Sequence, residues 1–116
     1  MPAVQTSSRS LRIVVVDSSQ VSSQALSAFL EHHGFRTDYA GPNAHEALAV
    51  VKRTPIEVAL VSRDLGQQEM AGLELATTLR SAVPSLRIVL ILDTSDTDSI
   101  VRAFRSGARG IFCRTS

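Results

Sequence analysis

Three short aliphatic runs, at residues 11–16, 58–61 and 86–92, constrain this chain more than any other feature. The first stops at Asp17, the second at Ser62, and the third is followed by Asp93. β-branched runs of this length with little polar interruption suit strands buried on both faces, the pattern of a parallel sheet. If the first two ends are neighbours in that sheet, they form a pocket shaped like a phosphoryl-transfer site with most of its charge removed.

The segments between the runs carry apolar residues at helical spacing. Ser18 or Ser19 caps a first helix through Val21, Ala25, Leu26, Ala28, Phe29 and Leu30, and Gly34 stops it. Residues 35–40 form a second strand, and Gly41-Pro42-Asn43 turns into a helix with Ala44, Ala47, Leu48 and Val51 on one face. Residues 57–62 form the third strand, and a third helix follows through Leu73, Leu75, Ala76 and Leu79, ended by Pro84. After the strand at 86–92, a cap-rich loop leads to a fourth helix through Ile100, Val101, Ala103 and Phe104, closed by Gly107. Residues 110–113 make a brief fifth strand. Five strands alternating with four helices predict an α/β domain with a parallel sheet and right-handed crossovers. Residues 1–10 are polar and aperiodic, a flexible N-terminal lead to a domain spanning 11–116.

Composition excludes several functions. Twelve basic against 11 acidic side chains leave a net charge of +1, without the basic footprint that neutralises many phosphates, so this piece alone binds DNA poorly. Four Phe, one Tyr and no Trp argue against stacking platforms for bases. The single cysteine, Cys113, cannot close an internal disulfide, and no run of about 18 apolar residues is present, so a cytoplasmic protein without a membrane span is expected.

Three stretches carry a family resemblance: Ile13-Val14-Val15-Val16-Asp17, Ala71-Gly72-Leu73-Glu74-Leu75, and the segment from Ala103 to Phe112 with its Gly107-Ala108-Arg109-Gly110 pattern. From residue 11 onward the chain resembles the receiver domains of bacterial two-component response regulators. The resemblance implies a flavodoxin-like (CheY-like), doubly wound sheet in the order 2-1-3-4-5, with its crevice at the carboxyl ends of strands one and three. It also implies a fifth helix, which this chain lacks, so the chain is expected to be a fragment of a longer regulator.

A competent receiver of that family phosphorylates an aspartate at the end of strand three. Two acids after strand one hold Mg²⁺, a Thr or Ser ends strand four, and a Lys ends strand five. Mg²⁺ wants hard oxygen ligands, an acyl phosphate needs a carboxylate nucleophile, and the Lys and hydroxyl offset phosphoryl charge. Here Asp17 matches the first acid and Ser18 replaces the second. Counting along strand three puts Ser62 at the acceptor position, whereas counting back from Gly72 puts Asp64 there. The natural end of the strand favours Ser62, since a longer loop absorbs two residues easily. Leu92 takes the hydroxyl position and Arg114 the place of the Lys. Serine cannot form an acyl phosphate, leucine cannot hydrogen-bond a phosphoryl oxygen, and arginine is a planar fork.

The resemblance therefore implies a degenerate receiver, without a cofactor, that signals through a homodimer or another regulatory protein. The alternative is a working receiver that takes phosphate from a histidine kinase on Asp64, with Asp17 and Asp64 holding Mg²⁺. A nucleotide- or flavin-binding domain is disfavoured because Ser18-Ser19-Gln20, not a glycine-rich loop, follows strand one. The Gly-Ala-Arg-Gly pattern resembles receivers joined to a helix-turn-helix domain. DNA contact would belong to such a C-terminal domain, which is absent here. Without the fifth helix, apolar residues of strands one and five, with Ala25 and Phe29, are expected to lie uncovered and to form a dimer interface or accept an exchanged element.

Several residues have structural readings beside functional ones. Asp17 is also a candidate cap for the first helix, and Asp64, Asp93, Asp96 and Asp98 suit loop and cap chemistry. His32 and His33 read as C-terminal helix residues, and His45 lacks partners at ligand spacing. Arg102, Arg105 and Arg109 suit a solvated face, and Cys113 a buried small hydrophobe.

Overall fold

The computed structural model describes residues 11–63, 65, 71–93, 97–105 and 107–113. Strands β1 (Arg12–Val16), β2 (Arg36–Gly41), β3 (Val58–Ser62), β4 (Arg87–Leu92) and β5 (Gly110–Cys113) alternate with helices α1 (Gln20–His32), α2 (Ala44–Arg53), α3 (Ala71–Ala82) and α4 (Thr97–Arg105). The strands form one parallel sheet in the order β2-β1-β3-β4-β5, as the aliphatic runs and the resemblance anticipated.

One face of the sheet carries the main core. Val14 and Val16 of β1, Ala59 and Val61 of β3, and Ile88 and Leu90 of β4 pack with Ala47, Val50 and Val51 of α2 and with Leu73, Leu75, Ala76 and Leu79 of α3. These alternate strand positions are buried, as one face of a pleated strand requires. The helical faces expected for α2 and α3 are the ones that face inward.

On the other face α1 is the helix present among the described elements, and it corrects the expected pattern. Its buried residue is Ser23, whereas Val21 is 81% and Phe29 59% exposed. Val21, Ala25, Ala28 and Phe29 share an exposed side of the helix while Leu26 and Leu30 are half-buried, so spacing alone did not single out its inner face. Ser23 tolerates burial because its hydroxyl donates to the carbonyl of Gln20 at 3.0 Å. α4 departs similarly: Ser99 and Ala103 turn inward, and Val101 and Phe104 remain exposed. Cys113 is half-buried, not fully buried as expected.

Local signals set the element ends. Ser19 is the N-cap of α1, its hydroxyl accepting from the Ser22 N–H at 3.1 Å, so Asp17 does not cap that helix. Gly34 follows α1 at φ +93°, a conformation that favours glycine. Between β1 and β2 the register shifts past Asp38, and its carboxylate accepts from the Arg12 guanidinium at 2.7 Å.

The uncovered surface lies elsewhere than expected on β1. Ile13 and Val15 are buried, and the open groove of about 630 Å³ runs between Ala25, Leu26 and Phe29 of α1 and Leu60, Val89, Ile91 and Phe112 of β3, β4 and β5. Phe29 and Phe112 are both well exposed, in keeping with the expectation for Phe29 and for strand five.

Candidate functional site

The site lies where β1 and β3 end. These strands are paired in register, Val16 opposite Val61, so Asp17 and Ser62 stand at the same level on adjacent strands. Both are buried, at 3% and 5% exposure. A carboxylate at that depth requires hydrogen-bond donors. The Ser19 N–H donates to its Oδ1 at 2.9 Å, and the Asp17 N–H donates to the Gly41 carbonyl at 3.0 Å. Asp17 thus organises the turn into α1 from the end of β1.

Ser62 is the last residue of β3, paired with Ile91 of β4. A close approach of α3 fixes that strand end. The Gly72 N–H donates to the Arg63 carbonyl at 2.7 Å, and a Cβ on Gly72 would meet the Ser62 carbonyl oxygen and lie 2.6 Å from the Arg63 carbonyl oxygen. Gly72, matched to the family on sequence alone, is therefore the residue that lets α3 seat on this backbone.

Leu92 ends β4 opposite Cys113 and is 1% exposed, continuing the buried row of Ile88 and Leu90. It is the residue expected at the hydroxyl position, and it brings apolar bulk to the end of β4. Ser18 is exposed. Asp64 and Arg114, the alternative acceptor and the strand-five cation, lie outside the described residues, as does Asp96. Asp93 is exposed, and Asp98 pairs with Arg102 at 3.2 Å one turn along α4. His45, Arg102, Arg105 and Arg109 are exposed, while His32 sits in the last turn of α1 and His33 is its C-cap.

The described donors at these strand ends include one carboxylate, Asp17, beside the Ser62 hydroxyl. Among the described residues no group of three or more His, Cys, Asp or Glu side chains could hold a metal ion. Mg²⁺ prefers octahedral oxygen ligation with one or two carboxylates and retained waters. The described set, one carboxylate already engaged by a backbone N–H, does not reproduce the two-acid arrangement of a phosphorylating receiver.

Sequence reasoning passed over Arg63. Its backbone N–H donates to the Ile91 carbonyl at 3.0 Å, and its Nη1 donates to Ser99 Oγ at 2.6 Å. Its place directly after Ser62 was the available signal.

Fold and site together define a flavodoxin-like domain with a buried acid and a buried hydroxyl at the ends of its two central strands. A family model for the response regulator receiver domain matches residues 13–114, and the chain belongs to that family. A response regulator from Thermotoga maritima superposes with a TM-score of 0.79 at 24% identity, covering 93% of this chain and 87% of that one. A LuxR-family two-component response regulator from Aurantimonas sp. SI85-9A1 gives a TM-score of 0.82 at 20% identity, covering 93% and 76%. A response regulator protein from Burkholderia pseudomallei, bearing a phosphorylated aspartic acid, a calcium ion and citrate, gives 0.80 at 24% identity, covering 91% and 61%. These likenesses establish the fold. No curated protein sequence matches. No helix among the described residues is long and apolar enough to cross a membrane.

Proposed function

We propose that this chain is an atypical regulatory receiver, a cytoplasmic protein-interaction module that works without an aspartyl phosphate and without Mg²⁺. The observation that carries the reading is Ser62, buried at the end of β3 and level with Asp17 across the sheet. A hydroxyl there has the wrong chemistry for an acyl phosphate. The apolar Leu92 supports the same conclusion, because a phosphoryl group in the pocket would gain no hydroxyl donor from the end of β4.

Signalling then rests on contact with other proteins. The exposed groove between α1 and the β3–β5 surface suits a second copy of the chain. Its lining holds no charged side chain that would repel an identical surface. Regulation of transcription, the role suggested by LuxR-family neighbours, would require a DNA-binding domain beyond this chain.

Fluoroberyllate, an aspartyl-phosphate mimic, tests the reading when followed by ¹⁹F NMR in the presence of Mg²⁺. Free fluoride species alone are expected. A saturable bound resonance that disappears in Asp64→Asn would establish instead a working receiver served by a histidine kinase.

A further inference from the structure

α4 is only 9 residues long, too short to hold its shape in water without tertiary anchors. Its buried side chains, Ser99 and Ala103, are small and bury little apolar area, whereas Val101 and Phe104 are 39% and 53% exposed. Polar contacts therefore add to what the packing of Ala103 and the half-buried Ile100 supplies in placing α4. One such contact reaches back to the end of β3: Arg63 Nη1 donates to Ser99 Oγ at 2.6 Å, joining residues 36 apart in sequence. Its other end is firmly held, because the Arg63 backbone bonds both to Ile91 of β4 and to Gly72 of α3. Ser99 is only 6% exposed, so its hydroxyl loses water on folding and gains from a charged donor.

We propose that Arg63 is a positioning residue that couples the end of β3 to α4. The guanidinium, carried by the residue that follows Ser62, holds the first turn of α4, and with it the position of the exposed Val101 and Phe104. Displacing the Arg63 side chain releases that helix. The tie uses neither acceptor candidate, so it stands or falls separately from the absence of aspartyl phosphorylation.

Amide hydrogen exchange, read by mass spectrometry on peptides covering 97–105, tests the coupling in Arg63→Met, Ser99→Ala and the double variant. Each single change is expected to speed exchange in α4 about tenfold, the factor for one charge-assisted hydrogen bond near the low end of its range. Exchange in α2 should stay unchanged. The double variant should match the faster single variant, because both remove the same bond. Ser99→Ala is informative on its own should Arg63→Met fail to fold, since alanine's higher helix propensity predicts slower exchange if the bond is idle. Unchanged or slower α4 exchange in Ser99→Ala would overturn the proposal. So would multiplicative effects in the double variant, or a rise spread equally over α2 and α4.

Discussion

Replacing Gly72 by alanine sets two physical effects in opposition. Gly72 lies in the first turn of α3, and helix propensity alone favours alanine there by up to about 1 kcal/mol. Sterically, the added methyl would meet the Ser62 carbonyl oxygen and sit 2.6 Å from the Arg63 carbonyl oxygen and 2.7 Å from the Arg63 Cα. These are backbone atoms, held by the Arg63–Ile91 and Gly72–Arg63 hydrogen bonds, so no side-chain rotation relieves the clash. Overpacking of this kind costs about 1–3 kcal/mol, and the immobility of the neighbours places the cost near the upper end. After the propensity gain is subtracted, a net loss of about 2 kcal/mol remains. Urea unfolding followed by circular dichroism should show the midpoint falling by about 1–2 M for a small domain, or the melting temperature by roughly 8 °C. Gly34→Ala provides the control: its φ of +93° is unfavourable, but nothing lies within 4 Å of the added carbon, so a loss of about 1 kcal/mol is expected. A Gly72→Ala protein as stable as wild type, or more stable, would refute the seating of α3 on the end of β3.

The remaining predictions concern the α1 side of the sheet. The Glu31 carboxyl is held below its ordinary range, first by the Thr37 hydroxyl at 2.6 Å and then by the Thr37 N–H at 3.2 Å. A depressed folded value contributes stability that is complete above the unfolded value and lost as pH falls through the folded one. Thr37→Val should therefore raise the Glu31 midpoint in an NMR titration, and an unmoved midpoint would show that the hydroxyl contributes nothing. If the α1 groove joins two copies, light scattering should report a dimer at high concentration. Phe29→Glu, which alters an exposed side chain, should give a folded monomer; a wild-type monomer at every concentration would count against that interface.

How much was visible beforehand depended on what each residue does physically. The aliphatic runs of β1, β3 and β4 declared themselves because strands buried on two faces need continuous apolar sequence, and Gly34 and Gly107 marked helix ends that adopt positive φ. Helix faces were legible for α2 and α3, which bury an apolar stripe. They were not legible for α1 and α4, where Ser23 and Ser99 turn inward. Their burial depends on a carbonyl one turn back and on an arginine 36 residues away, and hydrophobic spacing carries neither signal. At the site, Asp17, Ser62 and Leu92 followed from strand ends and occupy those ends in the sheet. The choice between Ser62 and Asp64 arose because two extra residues can enter the loop before Gly72 without disturbing either anchor. The Arg63–Ser99 contact was hidden because it exists only after β3 and α4 have been brought together.

Intact-mass spectrometry after incubation with acetyl phosphate and Mg²⁺ addresses most directly whether this receiver has abandoned phosphoryl transfer. An unmodified mass is expected, in wild type and in Asp64→Asn alike. A stoichiometric, Mg²⁺-dependent phosphoryl adduct that maps to Asp64 would contradict that expectation and return the domain to the phosphorelay.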